Sequence, residues 1–288
     1  MALDTARVVE VWAPGERSGM VGSGYFVRDG VVLTARHVAE RATAGRCEVR
    51  PLGTEDWSPA RITWQGPDER LDAALLEYDD ADGAPSVELS PLGRVAGPGR
   101  AACEALGFPS AQARPTGERD TERLVGEIDP LSARKGGLLT VHIDGSVPTQ
   151  DRSGHSPWEG MSGAALFSGP LLVGVVVVDP AHFDTDRLEA VPIEALAPET
   201  GFREALTGDP SRALALPAVE DVAAAEGVLR EPYRPLPASR RSPSVLLRPE
   251  FGVVPFRGRA DDLKRLRAWC AGEPGFAVSV LLGRGGAG

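Results

Sequence analysis

Short apolar runs, each ended by glycine, proline or aspartate, fill the chain from residue 7 to about residue 205. Many short runs with frequent turn residues are typical of all-β barrels and sandwiches. The candidate strands are Arg7–Trp12, Gly24–Val27, Val31–Thr34, Ala73–Tyr78, Ala101–Phe108, Leu138–Ile143, Ala164–Phe167 and Leu171–Val178. Long helical periodicity is absent until 193–206, where we expect one short helix to close the domain. The pattern predicts an all-β fold.

Three segments of this region place a histidine, an aspartate and a serine beside strand-like runs. They are VLTARHV at 32–38, DAALL at 72–76 and GMSG at 160–163. A serine hydroxyl is a weak nucleophile unless a base lies within hydrogen-bond reach. Histidine is the usual base, and a carboxylate on its far nitrogen fixes the imidazole tautomer. The segments therefore predict a catalytic triad of His37, Asp72 and Ser162.

Together these motifs resemble those of the trypsin-like (chymotrypsin-fold) serine peptidases. GSGYFV at 22–27 and the histidine segment match the family pattern GSGF…VLTAAHV, and the other two segments match its DIALL and G-x-S-G patterns. ALGFP at 105–109 is similar to the GYP strand of bacterial members. The resemblance covers about residues 7–205. It implies two six-stranded barrels, about 1–90 with His37 and Asp72 and about 91–205 with Ser162, around a site that cleaves protein or peptide substrates.

Glycines flank the candidate nucleophile. Gly160 lets the backbone turn so that its N–H and that of Ser162 point at one spot, which would form an oxyanion hole. A flipped peptide between Gly160 and Met161 would leave this hole unformed. Gly163 lets the backbone pass close to its neighbours. The family's usual acidic residue before the serine, which pairs with a newly cleaved N-terminus, is Met161 here, so we do not expect activation by N-terminal cleavage.

The resemblance also implies the positions of a substrate pocket. Counted from Ser162, Ser156 would lie at its base, with Val175, Val176 and Val177 on one wall and 188–190, including Ala190, on another. A serine base with aliphatic walls favours a small or medium apolar residue before the cleaved bond. If Glu189 reaches the pocket instead, it favours a basic residue. Both alternatives stand.

Charge and cysteine content bear on partners and compartment. The chain carries 31 basic and 41 acidic residues, a net charge of −10, which argues against a nucleic-acid partner. Three cysteines, Cys47, Cys103 and Cys270, make no disulfide framework and favour a reducing compartment. No signal peptide or membrane span is visible. We expect a cytoplasmic protein without a membrane partner, and the cysteine and histidine spacing predicts neither a metal site nor a cofactor.

The remainder of the chain has a different character. Residues 206–255 are rich in proline and arginine and predict a linker, with a brief helix near 219–229. FRGRADDL at 256–263 resembles the F-x-G-R-x-x-E-L entry of STAND-type (NB-ARC and NACHT class) NTPases, and GRGGAG at 283–288 fits the first six positions of a P-loop. We interpret 256–288 as the truncated start of such a domain, without the lysine that holds phosphate.

This second resemblance implies a regulated effector. The peptidase would be the N-terminal part of a STAND sensor used in bacterial antiphage defence or cell death, with its NTPase and sensor region outside this chain. A housekeeping protease fits the triad equally well. The competing class is a catalytically silent protease-fold module that binds a peptide or partner.

Overall fold

The computed structural model describes residues 3–16, 18–79, 87–115, 117–145, 156–178 and 185–223, together with residues 85, 148, 264, 265, 267 and 268. Twelve strands of this described part form two closed six-stranded barrels. The prediction of a mostly β, two-barrel fold is confirmed. Cys270 and the two NTPase-like motifs at 256–263 and 283–288 lie outside the described residues.

The first barrel is formed by six antiparallel strands. They are β1 (Val8–Ala13), β2 (Met20–Arg28), β3 (Val31–Thr34), β4 (Arg46–Pro51), β5 (Ser58–Gln65) and β6 (Ala74–Tyr78). The order around the barrel is β1-β2-β3-β6-β5-β4. A one-turn helix, α1 (Arg36–Ala39), follows β3 directly.

The second barrel repeats this connectivity. Its strands are β7 (Ala101–Gly107), β8 (Glu122–Asp129), β9 (Leu139–Ile143), β10 (Ala165–Ser168), β11 (Leu171–Val178) and β12 (Arg187–Pro192). The order around the barrel is β7-β8-β9-β12-β11-β10, which is the order of the first barrel shifted by six strands.

The eight candidate strands named from the sequence correspond to eight of these strands, and β4, β5, β8 and β12 are not among them, although Cys47 of β4 lies in a strand-like segment. Polar residues interrupt the apolar ones along most of these four strands, so none of them contains a long apolar run. In β8, for example, the buried residues are Leu124, Gly126 and Ile128, whereas Val125 and Glu127 between them are more exposed. Strict alternation is itself a strand signal, because successive side chains point to opposite faces.

Two helices follow the second barrel where the sequence predicts one. α2 (Ile193–Leu196) and α3 (Thr200–Thr207) are separated because Pro198 has no N–H to continue the first helix and Glu199 is extended. α3 packs on the first barrel: Phe202 is 1% exposed and its ring meets that of Trp64 edge-on, with centroids 5.1 Å apart. The chain thus returns from the second barrel to the first.

The two barrels also pack against each other directly. The ring of Tyr25 from β2 meets that of Phe167 from β10 edge-on, at 5.2 Å between centroids. Both residues belong to one hydrophobic cluster that joins the first barrel to the near side of the second. This shared cluster holds the two halves of the site in a fixed relation.

Beyond α3 the chain runs along the second barrel as far as residue 223. The Val219 N–H donates to the Arg94 carbonyl oxygen at 3.0 Å, and the Gly97 N–H donates to the Glu220 carboxylate at 2.8 Å. Residues 219–223 are helical. The domain boundary at 205 stays a prediction. Across the described ranges, no helix is both long enough and apolar enough to cross a membrane.

Candidate active site

Neighbouring strands of the first barrel bring His37 and Asp72 together. β3 and β6 are antiparallel, with Thr34 opposite Ala74, so the residues that follow β3 and precede β6 lie at the same end of the barrel. Asp72 Oδ2 lies 2.6 Å from His37 Nδ1, and Asp72 Oδ1 accepts the His37 backbone N–H at 2.8 Å. The carboxylate therefore holds both the ring and the main chain of His37. With its Nδ1 proton donated to Asp72, the ring presents Nε2 as the acceptor.

The Ser162 turn comes from the second barrel and docks against the first. The Ser23 N–H donates to the Ser162 carbonyl oxygen at 2.8 Å. Gly163 has a φ of +93°, and a Cβ placed on it would lie 2.0 Å from the Ser23 carbonyl oxygen and 2.4 Å from Thr34 Oγ1. Only glycine permits this approach. The turn is thereby held against the strands that lead into His37.

The Ser162 hydroxyl itself points to the second barrel. Its Oγ donates to the Val177 carbonyl oxygen at 3.3 Å, and within the described residues it makes no hydrogen bond to His37. Nucleophile–base contacts are often loose in unliganded sites and tighten when substrate binds.

Both peptide units beside Gly160 are fixed by hydrogen bonds. The Glu159 carbonyl oxygen accepts from the Ser110 N–H at 2.7 Å and from Arg119 Nη1 at 2.8 Å. The Gly160 carbonyl oxygen accepts from Ser23 Oγ at 2.7 Å. In a trans peptide the C=O and N–H point in opposite directions, so the Gly160 N–H points away from Ser110 and Arg119.

The two donors of the predicted oxyanion hole make no hydrogen bond within the part of the chain that the structure describes. Over the described residues, neither the Gly160 N–H nor the Ser162 N–H has an acceptor in the protein. Unpaired backbone donors near a nucleophile are what stabilisation of a developing oxyanion requires. Met161 between them is 1% exposed and donates its N–H to the Trp158 carbonyl oxygen at 2.8 Å. The turn is therefore held by packing and main-chain bonds.

The predicted pocket residues are separated by strand alternation. Val175 and Val177 face the cluster shared with the first barrel, whereas Val176 and Ala190 lie in the core of the second barrel. The Ser156 Oγ accepts the Trp158 N–H at 3.0 Å.

Residues 149–155 and 179–184, which flank these positions, lie outside the described residues. The assignment of Ser156, Val175, Val176, Val177 and Ala190 to a substrate pocket stays a prediction, as does the choice between Ser156 and Glu189.

Two residues of the site, Ser23 and Arg119, are not singled out by the sequence patterns. Ser23 is fully buried in β2 within the GSGYFV motif. A polar side chain inside a buried strand needs a hydrogen-bond partner, and that requirement is the signal that points to it. Arg119 carries no motif. In the described part of the chain, no three His, Cys, Asp or Glu side chains form a group that could hold a metal ion.

A comparison with protein-family models identifies the family of the chain. The model of the trypsin-like peptidase domain matches residues 22–175, which include His37, Asp72 and Ser162. The chain belongs to this family. A search of curated proteins gave no match to this trypsin-like peptidase.

Three solved structures that match the chain are distant from it in sequence. A thermostable serine protease from an extremophilic microorganism is 14% identical, with 73% of this chain and 99% of that chain covered and a TM-score of 0.50. The serine endoprotease of Yersinia pestis is 22% identical (71% and 65% covered, TM-score 0.49). A Mycobacterium tuberculosis protease in its active form is 19% identical (75% and 86% covered, TM-score 0.47). The chain thus spans 65% of the length of the Yersinia enzyme.

Proposed function

We propose that this trypsin-like peptidase is a serine endopeptidase that cleaves protein or peptide substrates with Ser162, His37 and Asp72. The observation that carries the proposal is the pair of hydrogen bonds that Asp72 accepts from His37, at 2.6 Å from the ring and 2.8 Å from the main chain. A carboxylate that only caps a turn has no need to hold an imidazole ring. A base held in one tautomer is what activation of a serine hydroxyl needs.

The reaction divides among these residues in two stages. Ser162 Oγ attacks the scissile carbonyl carbon while its proton moves to His37 Nε2, and the oxyanion is held by the Gly160 and Ser162 N–H groups. His37 then gives the proton to the leaving amine, which leaves an acyl-enzyme. Water attacks the ester with His37 again as base, and the proton returns to Ser162 Oγ. One oxyanion donor contributes a factor of about 10²–10³ to kcat.

The test is covalent labelling of the full chain with a fluorophosphonate probe, which phosphonylates an activated serine with loss of fluoride. Mass mapping is expected to place the label on Ser162. Ser162→Ala should abolish the label, and His37→Ala should nearly abolish it. A folded wild-type chain that takes up no label would contradict the peptidase proposal.

One observation favours a second candidate, a catalytically silent module that binds peptides. The Ser162 hydroxyl donates to the Val177 carbonyl oxygen at 3.3 Å, not to His37. If that arrangement persists when a peptide is bound, the hydroxyl is not activated. Peptide binding without any labelling of Ser162 would support the silent module.

We further propose that the peptidase is the cytoplasmic effector of a STAND-type sensor. The resemblance of 256–263 and 283–288 to the entry and P-loop of STAND NTPases supports this proposal. Free, buried thiols at Cys47 and Cys103 are compatible with a reducing compartment. A fragment of residues 1–223 should then cleave unfolded proteins only slowly. Full and unselective activity of that fragment would contradict gating, and recovery of the protein in the periplasmic fraction of cells would contradict the location.

A further inference from the structure

The loop that contains Arg119 lies directly against the oxyanion turn. Arg119 Nη1 donates to the Glu159 carbonyl oxygen at 2.8 Å, and Arg119 Nη2 lies 3.7 Å from the Glu159 carboxylate. The Arg119 side chain is only 16% exposed, whereas that of Glu159 is 51% exposed. The main-chain bond is thus the shorter of the two contacts.

The guanidinium also fills the space beside Gly160. A Cβ on Gly160 would lie 2.1 Å from Arg119 Nη1 and 2.4 Å from the Phe108 carbonyl oxygen. Gly160 has a φ of +98°, which other residues rarely adopt. Arg119 therefore packs against one of the two residues whose N–H groups form the predicted oxyanion hole.

Rotation of the Glu159–Gly160 peptide by half a turn would remove this N–H from the hole and put the Glu159 carbonyl oxygen in its place. Two hydrogen bonds oppose that rotation, one from the neutral Ser110 N–H and one from the charged Arg119. A charge-assisted hydrogen bond is about twice as strong as a neutral one. Arg119 is therefore the larger restraint on the orientation of this peptide.

We propose that Arg119 is a positioning residue that keeps the oxyanion hole formed by holding the Glu159 carbonyl oxygen. The inference rests on the proposed peptidase function. Arg119 would affect the transition state and not substrate binding, because the oxyanion exists only once Ser162 has attacked. Loss of the charged hydrogen bond is expected to slow acylation by about ten- to a hundredfold.

The experiment compares Arg119→Ala with Arg114→Ala in the full chain. Arg114 belongs to the same loop, but its side chain is 63% exposed and pairs with Asp120, away from Glu159. For each variant the maximal labelling rate, kinact, and the half-saturation constant, KI, are measured with a fluorophosphonate, alongside the thermal unfolding midpoint. Arg119→Ala should lower kinact by about ten- to a hundredfold with KI within about twofold of wild type. Arg114→Ala should leave kinact unchanged.

Conservative replacements separate positioning from folding. Arg119→Lys keeps one charged donor and should recover part of kinact, whereas Arg119→Gln keeps a neutral donor and should recover less. A wild-type kinact in a folded Arg119→Ala, or an equal loss in Arg114→Ala, would overturn the role of Arg119 while the peptidase proposal stands. If wild type is not labelled, the peptidase proposal fails first and the inference fails with it.

Discussion

The main-chain N–H of Ser23 donates a hydrogen bond to the carbonyl oxygen of Ser162, with 2.8 Å between nitrogen and oxygen. Ser23 belongs to the first barrel and Ser162 to the turn that opens β10 in the second. The Ser23 side chain adds two further bonds: its Oγ donates to the Gly160 carbonyl oxygen at 2.7 Å and accepts the Phe108 N–H at 3.0 Å. One buried serine therefore joins the half that carries His37 to the half that carries the nucleophile.

Ser23→Ala should impair both stability and acylation. It leaves the Gly160 carbonyl and the Phe108 N–H without their buried partner, which costs about 1–3 kcal/mol in the free energy of unfolding. Because the Gly160 carbonyl is then unrestrained, fluorophosphonate labelling should slow as well. Ser168→Ala is the matched control, since Ser168 is 2% exposed and its Oγ donates to the Ala102 carbonyl oxygen at 2.7 Å, in the second barrel.

Urea unfolding and labelling kinetics check the pair. Ser168→Ala is expected to lose stability with an unchanged labelling rate. If both variants lose stability and both label at the wild-type rate, Ser23 has no part in shaping the turn.

Gly163→Ala should prevent normal folding or dock the barrels wrongly. Its φ of +93° is unfavourable for alanine, and the new Cβ would meet the Ser23 carbonyl oxygen at 2.0 Å. Gly53→Ala separates the two effects, because Gly53 has a φ of +92° and no atom within 4 Å of a new Cβ. We expect Gly53→Ala to cost about 1 kcal/mol and Gly163→Ala several times more, as measured by chemical unfolding. Equal losses would show that the close approach is unimportant.

Asp72→Asn should leave the fold intact and reduce activity strongly. The amide oxygen can still accept the His37 main-chain N–H. The amide nitrogen is a donor, so it cannot accept the ring N–H as the second carboxylate oxygen does. His37 is then free to adopt the tautomer that places its proton on Nε2, where it cannot take one from Ser162. The expected loss is about 10⁴-fold in the rate of attack by Ser162. Labelling kinetics measure it, and a far-ultraviolet circular dichroism spectrum equal to that of wild type shows that the barrels persist.

The sequence predicts the three candidate catalytic residues because each lies in a local motif beside a strand. It also predicts the strands that are continuously apolar, such as β3 and β11, with their observed bounds. Strands whose buried positions are only every second residue, such as β8, are not among the named runs because they lack a continuous apolar stretch. Local motifs suffice where a role depends on neighbours in sequence.

The supports of the site depend on contacts between distant parts of the chain. Arg119 reaches the Glu159 carbonyl oxygen across 40 residues, and Ser23 reaches Gly160 across 137. Neither contact has a local pattern, since the partner in each case is a main-chain oxygen that every residue possesses. Which oxygen is within reach depends on how the barrels pack, and that requires the structure.

Cys47 and Cys103 should resist alkylation until the protein unfolds. Burial raises the pKa of each thiol from 9.0 to about 12, and for Cys103 the nearby carboxylates of Asp144, Glu127 and Glu104 add to the effect. The reactive thiolate is therefore nearly absent at pH 8 in the folded state. Iodoacetamide at pH 8, in a Cys270→Ser background, should modify neither thiol without denaturant and both with it.

The raised pKa values of the Cys47 and Cys103 thiols also make the free energy of unfolding depend on pH. Both states keep the thiol protons below pH 9, but above it the unfolded chain loses them while the folded chain holds them up to about pH 12. The unfolding free energy should therefore fall as pH rises from 9 towards 12, by up to about 1.4 kcal/mol per pH unit for each thiol. Urea unfolding at pH 8, 9 and 10 measures the slope, and Cys47→Ala should make it shallower. A flat profile over this range, or rapid alkylation of the folded protein, would show that the thiols are not held in a buried, protonated state.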